Sequence, residues 1–205
     1  MAHYLSFVVF CTVLAFAPGP DSFLTLRSTV VGGRVVGLWT MLGISIAGAA
    51  QGLLAASGLG AVIEHARPVF EAIRWAGACY LLYLGVLALL AARRGIDSSW
   101  EAAPAGTASR WRAVRQGFLC NITNPKVLAF NLAVLPQFVG EHASLPTLCA
   151  YALTLTGVGA VALLCIILAA MAARRVIESR RVRRGIEAAT GVVFVGFATA
   201  LVADS

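Results

Sequence analysis

Residues 121–139 read NITNPKVLAFNLAVLPQFV, an apolar run with Asn-Pro-Lys in its middle. Proline lacks a backbone N–H and clashes with the preceding turn, so a helix must stop or start there. The order Asn124-Pro125 favours a start, because Asn caps helices well and proline fits the first helical position. Lys126 is the only lysine of the chain. A lone ammonium within an apolar span is costly in a bilayer, which makes it a candidate functional group.

The composition outside this stretch agrees with a membrane setting. Of 205 residues, 60% are hydrophobic and 12% charged, against about 25% charged in a soluble domain. Mean hydropathy is +0.85. The expected fold class is an all-α integral membrane protein, with residues 1–205 forming one transmembrane domain. Spans of about 20 apolar residues are expected near 4–26, 37–63, 69–92, 117–139, 145–173 and 185–203. Ala15-Phe16-Ala17 imitates a signal-peptide cleavage site, but no Lys or Arg precedes the apolar stretch and Pro18 follows the site, so a retained helix is expected. The five cysteines lie in apolar segments at no metal-ligand spacing; they read as small buried hydrophobes, and neither a metal nor a cofactor is expected.

Charge placement sets the expected topology. The first, third and fifth connections hold thirteen arginines, among them Arg27, Arg34, Arg93, Arg94 and the cluster at 174–184, whereas the even ones hold Arg67 and Arg74 alone. Basic residues stay cytoplasmic, so both termini are expected outside. The net charge of +7 then points to anionic lipid headgroups rather than nucleic acid. A polar connection at 93–116, expected in the cytoplasm, separates halves at about 1–92 and 117–205. Three spans per half force opposite orientations, as in an inverted repeat. The first span of each half is broken by proline: Pro18-Gly19-Pro20-Asp21 in one, Asn124-Pro125-Lys126 in the other.

Both breaks start a new half-helix, whose bare N–H groups and positive dipole end attract a carboxylate, while the carbonyls freed before each proline accept from an ammonium. The alternative is a kink in a packed helix, which membrane helices tolerate. Asp21 and Lys126 are expected to approach one another across this site, Asp21 taking the substrate ammonium or a coupling proton and Lys126 the substrate carboxylate; alternatively Asp21 complements a dipole and Lys126 snorkels. Gln51 lies within Gly48-x-x-x-Gly52, a spacing for close helix packing, and its amide also suits a substrate contact. Ser45 and Ser57 are expected to bond their own helix backbone. Thr154, Thr156, Gly157 and Gly159 weaken the fifth span, for gating or for packing. Glu187 is expected to face Arg183 or Arg184.

Three stretches, PGPDSF at 18–23, WAGACYLLYLG at 75–85 and NITNPKVLAFNLAVLPQFV at 121–139, resemble the LysE/RhtB superfamily of amino-acid exporters in order and spacing. The resemblance implies six spans in a bacterial inner membrane, export of small amino acids or derivatives from the cytoplasm, a link to the proton gradient, and a homodimer, for which Gly43, Gly48 and Gly52 offer a seat. By position, Pro18, Gly19, Pro20 and Asp21 match the first-span motif, and Asn121, Asn124, Pro125, Lys126, Pro136 and Gln137 the fourth-span motif. Asn131 departs from it, standing where the family often has an aromatic or small apolar residue. With Gln51, the residues through Lys126 form the expected substrate site. The lack of a second acid there favours neutral amino acids. Export of another small solute or of a divalent metal ion would suit the same architecture, but the spans offer only Asp21 and Glu187 as carboxylate ligands. An intramembrane enzyme would need a catalytic constellation; a Ser22/Lys126 pair is the one on offer, and helix starts explain both residues.

Overall fold

A computed structural model describes residues 2–17, 19–56, 67–94, 107–131, 138, 144–173 and 179–203. Pro18, Pro136, Gln137, Ser57 and the centre of the 93–116 connection, all named above, lie outside the described residues. Among the described residues the secondary structure is helical throughout: α1 (Ala2–Phe16), α2 (Pro20–Ala56), α3 (Arg67–Arg94), α4 (Thr107–Ile122), α5 (Pro125–Ala129), α6 (Leu145–Ala172) and α7 (Arg180–Ala203). Each expected apolar segment is helical where described, apart from Ala17, Gly19, Thr123 and Asn124 at the proline breaks and Ala173 at the end of its helix. Leu145–Ala172 is long and apolar enough to cross a bilayer by itself, and Pro20–Ala55 has the length and composition but is divided at Gly33.

The connection expected between residues 26 and 37 is reduced to one residue. Helix runs to Gly32, and Gly33 takes φ 79° and ψ 177°, which glycine adopts without the penalty a Cβ would bring. The two limbs of α2 fold back there. Residues 29 and 37 would stand about 12 Å apart along an uninterrupted helix, yet a Cβ on Gly37 would lie 3.2 Å from Cβ of Thr29.

The second limb of α2 packs on α4 and α6, and α3 packs on α7. At the α2–α4 crossing, Gly43 lies against the backbone of Val114 and Phe118, and Gly117 against Thr40 and Ile44. A methyl on either would meet main chain that cannot yield. Gly52 seats Ala152 of α6. Two of the three glycines expected to receive a second subunit thus serve contacts within the chain. One buried cluster joins Leu24, Leu81, Cys120 and Phe194; another joins Phe7 and Cys11 of α1 to Phe130 and Ala152, with Tyr151 and Phe138 at its edge. Large apolar side chains such as Leu5, Val13, Val161 and Val192 remain exposed, as expected of faces that meet lipid.

Glu187 corrects an expectation. It is 1% exposed, and its Oε2 accepts from Nε of Arg27 at 2.8 Å. Arg184 instead donates to the carbonyl of Ala92. The acid therefore ties α7 to the first limb of α2, because a buried carboxylate needs a cation at contact distance.

Candidate functional site

The site grows from the two proline breaks. At the first, the N–H of Ala17 bonds the carbonyls of Val13 and Leu14 and closes α1. Gly19, buried, precedes Pro20, and its carbonyl receives the N–H of Phe23. The capping position of α2 thus has no side chain to offer, and Asp21 enters in the first turn, where an acid suits the dipole. At the second, Asn124 is extended (φ −76°, ψ 111°) and Pro125 opens α5. Asn124 Oδ1 accepts from the N–H of Lys126 at 3.1 Å, and its carbonyl takes the N–H groups of Val127 and Leu128.

The breaks are bonded to each other. Asn121 Nδ2 and Asn124 Nδ2 both donate to Asp21 Oδ2, at 2.9 and 2.8 Å. In the other direction, Lys126 Nζ donates to the carbonyl of Ala17, the last of the first break, at 2.8 Å. Hydrogen bonds to a charged group contribute about 1.5–3 kcal/mol each, so this exchange is a strong reason for the two breaks to lie side by side.

Gln51 stands behind this arrangement. Its Nε2 donates to the carbonyl of Asn121 at 2.8 Å. In a continuous helix that carbonyl would receive the N–H of residue 125, which proline lacks. The amide of Asn124 reaches it from one side and Gln51 supplies the second donor, in a setting where a carbonyl cannot turn to water. Gln51 is not among the residues that line the adjoining cavity.

That cavity, of about 90 Å³, lies where the breaks meet. Gly19, Asp21, Asn121, Asn124 and Lys126 form its polar wall, and Leu14, Ile44, Phe130 and Leu155 belong to its apolar one. Asp21 and Lys126 share the cavity, but no ion pair joins them: among the described residues the contact-distance pair is Arg27–Glu187. Two further expectations change. The N–H groups of α5 do not await a carboxylate, because Asn124 uses them. Ser45, expected to bond its own helix backbone, lines the cavity, as does Thr156, which also donates back to the carbonyl of Ala152. The run Thr154–Gly159 does not interrupt α6, which is continuous from Leu145 to Ala172.

Among the cavity residues missed from sequence are Leu14, Ile44, Gly48, Leu155, Gly159 and Leu163. Helical spacing carried a signal for them: Ile44 with Gly48, and Leu155 with Gly159 and Leu163, stand four apart and share a face.

Two acceptors at the site have no partner, Asp21 Oδ1 and Asn121 Oδ1. Opposite them in charge stands Lys126, whose ammonium has two N–H groups beyond the one given to Ala17. The arrangement can hold a small molecule that is both donor-rich and anionic. The sequence pattern of the LysE type translocators matches residues 12–205. The chain belongs to the LysE family. Over 205 residues, covering 97% of this chain and 94% of the other, it is 29% identical to a leucine efflux protein of Klebsiella pneumoniae. A homoserine/homoserine lactone efflux protein of Salmonella typhi is 30% identical over 66% of this chain and 64% of its own length. An uncharacterized membrane protein of Bacillus subtilis, YrhP, is 26% identical over 96% of this chain and 97% of its own. No solved structure matches. As a LysE family member the chain is a membrane transporter and not an enzyme.

Proposed function

We propose that this LysE protein is a secondary active exporter of small neutral amino acids or their derivatives, driven by the proton gradient. In this reading its helices form six spans in two inverted halves, in a bacterial inner membrane, with both termini outside. The observation that carries the reading is the presence of one carboxylate, Asp21, and one ammonium, Lys126, on the wall of a single cavity between two broken helices. Among the described residues these are the only charged ones that line it. One acid and one base match the ammonium and carboxylate of a free amino acid and leave no partner for a charged side chain. Leu14, Ile44, Val127, Phe130, Leu155 and Leu163 suit a neutral, largely apolar one. Lys126 on the same wall disfavours a divalent cation, which would also want more oxygen ligands than one carboxylate gives. The efflux of amino acids or their derivatives named for two relatives points the same way.

Proteoliposomes loaded with radiolabelled leucine, threonine or homoserine test the proposal. Label should leave faster than from protein-free vesicles, faster still with an acidic exterior, and the acceleration should vanish with a protonophore. Label retained as in empty vesicles would refute export; efflux indifferent to the gradient would refute the coupling.

A further inference from the structure

Gly48 and Gly52 form one Gly-x-x-x-Gly pair in sequence, and the structure gives them different tasks. A Cβ on Gly52 would lie 2.8 Å from Cβ of Ala152, so Gly52 permits a helix contact. The nearest atoms to a Cβ on Gly48 would be Thr156 Oγ1 at 3.5 Å, Asn121 Oδ1 at 3.6 Å and Thr156 Cγ2 at 3.9 Å, all ordinary contacts. No protein atom demands glycine at 48. It lines the cavity, and the space it leaves open is bordered by polar oxygens.

Those oxygens are acceptors. Asn121 is 4% exposed and its Oδ1 has no partner. Asp21 Oδ1 is likewise buried and unpartnered, and its carboxylate is held beside the same amide by the bond from Asn121 Nδ2. Thr156 gives its hydroxyl proton to the carbonyl of Ala152 at 3.2 Å, so towards Gly48 it can only accept. Buried acceptors without donors are costly, and a primary ammonium brings three donors.

We infer that Gly48, Asn121, Thr156 and Asp21 form a subsite for an unsubstituted primary ammonium, with Asp21 Oδ1, Asn121 Oδ1 and Thr156 Oγ1 as its acceptors and Gly48 as the residue that keeps it open. The inference rests on the amino-acid reading above and sharpens it. A secondary ammonium has one donor fewer and a carbon in its place, so the subsite selects primary amino acids against N-methylated ones. A methyl at position 48 intrudes on the ammonium itself, so it weakens every amino acid rather than reordering them.

The test uses the full-length protein in proteoliposomes. The probes are whichever of leucine, threonine and homoserine the wild type moves fastest and its N-methyl derivative as competitor. Gly48→Ala should raise KM for the amino acid about tenfold, in the range of one methyl group in a pocket. Thr156→Val keeps the shape and removes the third acceptor, so it should reduce the preference for the primary over the N-methyl form about tenfold. Gly157→Ala is the control: Gly157 is exposed, off the cavity, and a Cβ there meets nothing. It should transport as the wild type does. Unchanged KM in Gly48→Ala together with unchanged preference in Thr156→Val would overturn the subsite while leaving export intact. Should Gly48→Ala not insert, unchanged preference in Thr156→Val alone overturns it. A wild type that moves none of the three amino acids would remove the export reading and the subsite with it.

Discussion

The second break caps its new helix with its own side chain, whereas the first turn of the new helix at the first break is held by the rest of the molecule. Asn124 caps α5 with its side chain and carbonyl. Gly19 has no side chain to cap α2, and the acid in that first turn is held by Asn121 and Asn124 from the other half of the chain. Further along the same limb of α2, Arg27 is fixed by Glu187 of α7. Two sites with the same proline signature therefore differ in autonomy. The second is a local structure that serves as a platform, and the first is positioned on it.

The largest expected effect of cutting the dependent limb loose is on stability. Arg27→Ala leaves Glu187 buried without its cation, and losing one partner of a buried pair costs about 3–5 kcal/mol. Thermal unfolding in detergent should show this, and Glu187→Gln, which removes the stranded charge, should be milder. Equal losses in both would mean that the pair matters only through shape.

Asn124→Ala comes next. It removes a cap, about 0.5–2 kcal/mol, and one of the two amide bonds to Asp21, about 1.5–3 kcal/mol. Hydrogen exchange should speed up at the N–H of Lys126 and in the first turn of α2 alike. Asp21→Ala should free the first turn of α2 and leave α5 protected. Symmetric exchange in the two variants would contradict the platform account.

The smallest effect is expected at Gln51. Gln51→Leu removes one of two donors to the carbonyl of Asn121, about 1 kcal/mol. Because Gln51 lies off the cavity wall, KM should stay near the wild-type value while the maximal rate falls. A KM effect without a rate effect would put Gln51 in contact with substrate.

Much of this was legible in the sequence, for reasons that differ by residue. Prolines 20 and 125 announce the breaks because their chemistry is local, and Asn124 announces its own cap. The bond from Asn121 to Asp21 spans a hundred residues and follows no local rule. The tie between Arg27 and Glu187 was missed for the same reason: Arg184, three residues before Glu187 on the same helix, is the neighbour that local spacing suggests, but it donates to the carbonyl of Ala92. Gly33 hid a hairpin inside what composition reads as an ordinary loop, since only its backbone angles turn the chain. Gly48 and Gly52 look alike in sequence, and only the partner helix distinguishes a contact glycine from a cavity one. Helical periodicity places Ile44 with Gly48, and Leu155 with Gly159, on shared faces, but no local rule turns those faces towards the proline breaks.

The central claim is that Lys126 receives the carboxylate of an amino acid and Asp21 its ammonium. Direct binding of leucine, leucinamide and N-acetyl-leucine to purified wild type, Lys126→Gln and Asp21→Asn tests it most closely. The wild type should prefer leucine to both derivatives. Lys126→Gln should lose the preference over leucinamide and keep that over N-acetyl-leucine, and Asp21→Asn should do the reverse. Both preferences surviving in both variants would show that neither charge meets the substrate, and the account would be wrong.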